Sequence, residues 1–475
     1  MLAGVALVFA ASAAAARVHG TRHADRIQTV NGKRDFVFCG RGRDLATVDG
    51  LDRVARDCEV VTRQISSDPY RSGPGQYGSQ VEPDTASWGS TVVAVFQSNR
   101  VFDGGSADTG FAVSHNSGRT WKHGFLSGLT PWAKPAGTWP RVSDPTVAYD
   151  SVHGVWIVVS LAFGGPESAF LVSRSADGLH WQAPVTTNLR SGFVLDKQWV
   201  ACDNGASSPF RGHCYLSYDD LGSNEIATQA SDDGGLSWSS PRAAPGFPGR
   251  AAILGSYAPG VQPVVRPDGM VVIPYFNETG MAEIRSLDGG KTWLPTTPVA
   301  PVNYHGRPGL RVTPMPSAEV DGSGTIYLAW PDCSHRTGCA SNDLAIARSA
   351  DGLNWDPPLI VPTHASDVEL PGVAADFSAS GRIAVAYYVV NGSRLDVNFM
   401  ASRDRGDTWT KPQRLSSWSL LSSWIASTSQ GLMVGDYIST SFAGGRAVPV
   451  FALALKPRGT RLSESMFATS LATPH

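Results

Sequence analysis

Ser286-Leu-Asp-Gly-Gly-Lys-Thr-Trp293 is an octapeptide that recurs along this 475-residue chain. It returns as Ser114-His-Asn-Ser-Gly-Arg-Thr-Trp121, Ser231-Asp-Asp-Gly-Gly-Leu-Ser-Trp238 and Ser402-Arg-Asp-Arg-Gly-Asp-Thr-Trp409. Two copies are one residue shorter, Ser175-Ala-Asp-Gly-Leu-His-Trp181 and Ser349-Ala-Asp-Gly-Leu-Asn-Trp355. The six tryptophans follow one another at 60, 57, 55, 62 and 54 residues. Each residue type suits a tight β-hairpin turn: Asp or Asn accepts local backbone amides, Ser adds a further local bond, and Gly supplies positive φ. The Trp is expected to bury its ring between strands and pin the turn to its sheet. These residues therefore read as structural.

Between turns the chain alternates short apolar runs with polar punctuation, as in Pro145-Thr-Val-Ala-Tyr-Asp150, Gly154-Val-Trp-Ile-Val-Val-Ser160 and Phe170-Leu-Val-Ser-Arg174. Read as successive strands, with a fourth after the Trp, they make a four-stranded unit repeating about every 57 residues. The fold class is all-β, a β-propeller with six boxed blades. Beyond the last box, Gly431–Ile438, Arg446–Leu453 and Met466–Thr469 offer three more strands, and Cys58–Ile65 offers a fourth from the N-terminal side. Seven blades closed in this way are preferred, because closure removes the open edge of the first sheet; a six-bladed ring with a C-terminal appendage is the alternative. The propeller is assigned to 59–475.

Composition sets the class. Hydrophobic residues make up 42% and charged residues 17%, enough apolar surface for a large core. A net charge of -2 gives no reason to expect nucleic acid as a partner. Residues 1–16 are apolar and Ala-rich, ending Ala14-Ala15-Ala16 before Arg17, and read as a signal peptide that directs secretion. No later run reaches the roughly 18 apolar residues of a membrane span. The six cysteines fall into local pairs, Cys39/Cys58, Cys202/Cys214 and Cys333/Cys339, expected as disulfides of an exported protein. In 17–58, Asp25, Asp35, Asp44 and Asp52 recur at steps of 10, 9 and 8, each with an apolar residue two positions on. This spacing is similar to degenerate calcium-binding repeats, so calcium is the one metal considered, with a metal-free disulfide-stapled β-coil as the other reading.

The boxes, at this spacing, resemble the BNR/Asp-box repeats of sialidases, and the whole chain resembles secreted bacterial proteins of sialidase-like type, in stretches such as Asp196-Lys-Gln-Trp-Val-Ala-Cys-Asp203 and Met433-Val-Gly-Asp-Tyr-Ile-Ser-Thr440. The resemblance implies a glycan substrate held by three arginines, a Tyr nucleophile activated by a Glu, and an Asp acid/base, with no cofactor required. An Arg-Ile-Pro motif before the first box is missing. Arg141, in Trp139-Pro-Arg-Val-Ser-Asp144, is the nearest likeness, with Arg307 and Arg311 as further arginines, Tyr437 as the tyrosine and Glu319 as the glutamate. Aligning the repeats on Asp150, Asp203, Asp268 and Asp321 and stepping back six positions brings Asp144, Lys197, Gln262 and Met315 to one level, with Glu82 and Asp436 in similar places. Catalytic candidates are thus Glu82, Arg141, Asp144, Asp196, Lys197, Glu319, Asp436 and Tyr437. Trp199, Tyr257, Gln262, Arg307 and Arg311 are candidates for ligand binding, and Glu82, Asp144, Asp196, Lys197, Glu319, Asp436 and Tyr437, aided by Trp199 and Tyr257, are expected to line one pocket at the mouth of a central channel. Two functions fit: a secreted exo-glycosidase, or a propeller that binds a glycan or protein without turnover.

Overall fold

A computed structural model describes residues 6–9, 15–243, 260–277 and 280–473, and the candidate Tyr257 lies outside them. The described chain is almost entirely β, with two 3-10 turns, and its fold is β-propeller-like. Its repeating unit is an antiparallel meander, for example Arg141–Asp150, Val155–Phe163, Glu167–Ser175 and Val185–Ser191. The first strands of successive meanders are Gln80–Trp88, Arg141–Asp150, Leu195–Cys202, Val264–Val265, Ser317–Val320, Val368–Ala375 and Ser439–Ala443. These strands are stitched side by side. Asp84 accepts the Thr146 hydroxyl at 2.9 Å and the Val147 amide at 2.8 Å, and the Thr146 oxygen in turn accepts the Val200 amide. Gln262 accepts the Ala318 amide, Ser317 accepts the Val373 amide, and the Thr440 hydroxyl donates to the Gly372 carbonyl. The Thr85 amide then donates to Ser439 at 3.1 Å, joining the last of these strands to the first.

The octapeptides behave as their chemistry demands. In all six the Ser Oγ accepts the glycine amide at 2.9 Å. The Asp or Asn Oδ1 accepts the amide just before the Trp, as Asp288 does from Thr292 at 2.9 Å. The glycine seats the turn on the preceding sheet: a Cβ at Gly178 would lie 2.6 Å from Val93 Cγ2, and one at Gly118 would lie 2.7 Å from Val448 Cγ1. Each Trp belongs to a different apolar core between sheets. Trp293 is buried, whereas the other five lie half-buried as lids over their cores, because the turn that carries them sits at the sheet's end. The expected strand Gly431–Ile438 is broken. Gly431–Met433 pairs with Ala426–Thr428, Gly435 turns the chain at φ 152°, and the first strand of the last meander starts at Ser439.

Toward the N-terminus two parallel ladders stack. One comprises Ala6–Phe9, Asp25–Gln28, Leu45–Val48 and Val60–Gln64; the other comprises Arg17–His19, Phe36–Phe38 and Arg53–Val54. Val60–Gln64 also pairs antiparallel with Glu464–Thr469, so this coil runs directly into the last meander. Disulfides join Cys39 to Cys58, Cys202 to Cys214 and Cys333 to Cys339. Among the described residues no helix is long and apolar enough to cross a membrane.

Candidate functional site

Four of the first strands share one irregularity near their start. Their register slips between Val81 and Asp84, Ser143 and Thr146, Asp196 and Trp199, and Glu369 and Gly372. At each slip a non-glycine residue has positive φ: Glu82 (56°), Asp144 (44°), Lys197 (47°) and Leu370 (49°). In three of the four the next residue is Pro, which has no amide for the ladder and favours a bulge. A left-handed non-glycine residue costs roughly 1–3 kcal/mol and persists where its surroundings hold it. Here the bulges project Glu82, Asp144 and Lys197 together.

One carboxylate oxygen from each of Glu82, Asp144 and Asp436 lies within 4.8 Å of the others. The cation among them is Lys197, whose Nζ donates to Asp144 Oδ1 at 2.9 Å and to Asp436 Oδ2. Arg311 grips Asp436 with two donors, Nε at 2.7 Å from Oδ1 and Nη2 on Oδ2. Glu82, Asp144, Lys197 and Asp436 are between 1% and 8% exposed, whereas the Arg311 side chain reaches solvent at 18%. Burial, then Asp144 and Asp436, push Glu82 up to about 8, against the pull of Lys197 and Arg100. Burial opposes ionisation of Asp436 too, yet Arg311 and Lys197 overcome it and hold that carboxyl well below the usual range. The result is a neutral acid beside an ionised one, the division of roles acid/base chemistry requires. Asp196 is pushed up to about 6 by burial, and it pairs across the ladder with Asp219, itself raised by burial and by Asp196.

Tyr437 packs edge-on against Trp199 with ring centroids 5.1 Å apart. Burial, then Glu82 and Asp144, hold its phenol far above the ordinary value, so it stays protonated. Glu319 and Trp199 belong elsewhere: they line a cavity formed by the later halves of the same first strands. The remaining candidates disperse. Arg141 pairs with Asp103 at 2.6 Å near the surface, Arg307 pairs with buried Asp367, and Gln262 is spent on the neighbouring strand. The three arginines therefore meet three different carboxylates.

Sequence reasoning missed Arg100, Gln97 and Leu370. Arg100 is fully buried and donates to the Gly105 carbonyl at 2.6 Å. Gln97 donates to Glu82 and to Ser143 Oγ. Their signal was available as Gln97-Ser-Asn-Arg100, a polar run ending an otherwise apolar strand. Leu370 repeats the X-Pro bulge with an apolar residue, so a search for charged groups passed over it.

The N-terminal aspartates form an amide ladder. Asp44 Oδ1 accepts the Asp25 amide at 2.7 Å, Asp52 Oδ1 accepts the Asp35 amide at 2.8 Å, and Asp35 Oδ1 accepts the Ala16 amide at 2.7 Å. Asp25 accepts from Thr21. The four carboxyls alternate between the two ladders, and none belongs to a three-donor group within metal-binding reach among the described residues.

No protein-family profile matches the chain, and no curated protein matches it in sequence. Among solved structures it is similar to the K499G mutant of NanB sialidase from Streptococcus pneumoniae, at 12% identity over 86% of this chain and 70% of that one, TM-score 0.47. It is also similar to a polysaccharide lyase, PL25-Ulvanlyase (11% identity, 85% and 94% covered, TM-score 0.48), and to the α-L-arabinofuranosidase Arb93A from Fusarium graminearum (12% identity, 86% and 97% covered, TM-score 0.46).

Proposed function

We propose that this protein is a secreted, seven-bladed propeller that acts on a glycan at the end of its channel where the first strands begin. Glu82 is the proton donor and Asp144 its carboxylate partner. The observation that carries this reading is the convergence of three carboxylates within 4.8 Å on bulges held at positive φ, with Lys197 bonded to two of them. Glu82 is neutral at neutral pH and able to donate a proton, and Asp144 accepts a hydrogen bond from the Lys197 ammonium. Tyr437, held protonated among carboxylates, suits a hydrogen-bonding role better than that of a nucleophile. The stitching of the last first strand back to Thr85 supports seven blades, and three disulfides support export. The reading requires no cofactor.

One observation favours a second reading. The cluster is less than a tenth exposed and Asp436 is consumed by two cations, so the same groups also suit a clasp that shapes a non-catalytic glycan-binding face. A panel of fluorogenic glycosides, including a sialoside, run in parallel with a glycan-binding array, separates the two. Turnover that falls about 10²–10⁴-fold in Glu82→Gln and Asp144→Asn, and less in Tyr437→Phe, is the expected outcome. Turnover indifferent to Glu82→Gln and Asp144→Asn overturns the assignment, and binding without turnover establishes the second reading.

A further inference from the structure

The later halves of the first strands enclose a cavity of about 210 Å³, separate from the cluster around Lys197. Its walls carry the aromatic rings of Trp88, Tyr149, Trp199 and Phe377 and the carboxyls of Asp84 and Glu319. No lysine, arginine or histidine is among its lining residues. Several of the wall's other polar groups are committed to the ring. Thr85 bonds to Ser439 and Ser441, Ser87 donates to the Phe442 carbonyl, and the Thr440 hydroxyl donates to Gly372. Asn204 donates to the Tyr149 carbonyl at 2.8 Å and accepts the Ser151 amide at 2.8 Å. Asp84 is held by Thr146 and Val147. Glu319 differs: among the described residues none donates a hydrogen bond to its carboxyl. A part-buried carboxyl facing a cavity without a partner calls for one.

Aromatic faces around a carboxyl, with no competing basic side chain, have the chemistry that recognises a positively charged nitrogen. Trp88 packs on Tyr149 with ring centroids 5.3 Å apart at an interplanar angle of 32°, and its own ring remains 41% exposed. The volume is below the roughly 300–1,000 Å³ of drug-sized pockets, so the ligand is small. We infer that this cavity is a binding site for a small organic ammonium ion, with its charge on Glu319 and its alkyl groups against the rings.

The test is calorimetric titration of the full chain, at about pH 9 where Glu319 is ionised, with choline and with its uncharged isostere 3,3-dimethylbutan-1-ol. Choline should bind at least about tenfold more tightly than the isostere, a difference of about 1.4 kcal/mol. Glu319→Gln should erase that preference, and Trp88→Ala, at a ring already 41% exposed, should weaken choline several-fold without threatening the fold. Glu82→Gln should leave choline binding unchanged, which makes this result independent of the glycan reading. Equal binding of choline and the isostere, or no choline binding by the folded wild type, overturns the inference. Should Glu319→Gln fail to fold, an unchanged choline affinity in Trp88→Ala overturns it equally.

Discussion

Raising the pH toward 8 should cost this protein stability through its buried carboxyls, and Glu319 contributes a share that can be isolated. Burial in the axial cavity, then the neighbouring Asp84 carboxyl, push it up to about 8 from an ordinary 4.5. Below about pH 4.5 the group is neutral in both folded and unfolded chains, and its contribution is fully present. Between that value and about 8 the unfolded chain releases the proton while the folded chain retains it, so stability falls as pH rises through the folded value. From about pH 6 to about pH 9 the loss has a ceiling of about 3 kcal/mol for one group at 1.36 kcal/mol per pH unit. The carboxyl faces a cavity with room for water, which eases ionisation, so about 2 kcal/mol is expected. Urea unfolding of the wild type and of Glu319→Gln at the two pH values measures it directly. The variant should lose about 2 kcal/mol less than the wild type on going to the higher pH. Identical pH dependence in the two folded proteins would refute the reasoning, because no other residue is changed.

Arg311→Ala should destabilise the fold by about 3–5 kcal/mol in chemical denaturation, since it leaves buried Asp436 with Lys197 as its remaining direct cationic partner. Asp288→Ala removes the acceptor for the Lys291 and Thr292 amides and the Thr292 hydroxyl, and should cost about 1–2 kcal/mol in thermal unfolding, without affecting the Lys197 cluster. Asp233 and Asp404 are held down to about 2, although burial opposes ionisation of each: at Asp233 the strongest opposing bonds come from Ser237, and at Asp404 those from Thr408 lead. Their stabilisation is present above the ordinary aspartate value and is lost as pH falls through about 2, so tryptophan fluorescence should report an acid transition there that moves upward in Asp233→Asn with Asp404→Asn.

The turns were legible because everything that shapes them is local. Ser286, Asp288, Gly290 and Trp293 lie within eight residues, and their hydrogen bonds close inside that window. The cysteine pairs were legible for the same reason, with separations of 19, 12 and 6 residues. The level shared by Glu82, Asp144 and Lys197 was readable too, because the repeat places equivalent residues at equivalent heights. The break at Gly435 was not, since the turn that places Asp436 depends on packing against Glu82 from the other end of the chain. The aspartates at 25, 35, 44 and 52 showed their spacing in the sequence. Their alternation between two ladders, each carboxyl capping a backbone amide, appeared only when the coil was wound.

By itself, then, the chain determined a repeated four-stranded unit, its pinned turns and the set of charged residues near a common axis, because those follow from short-range hydrogen bonding and periodicity. Only the tertiary structure decided which of them meet. Ring closure brings residues 82, 144, 197, 311 and 436 into contact across more than 350 positions, adds the unforeseen Arg100, and sends Glu319 into a different cavity. Burial and Coulomb interaction act through space, and so the ionisation of each carboxyl was settled by neighbours that sequence distance conceals.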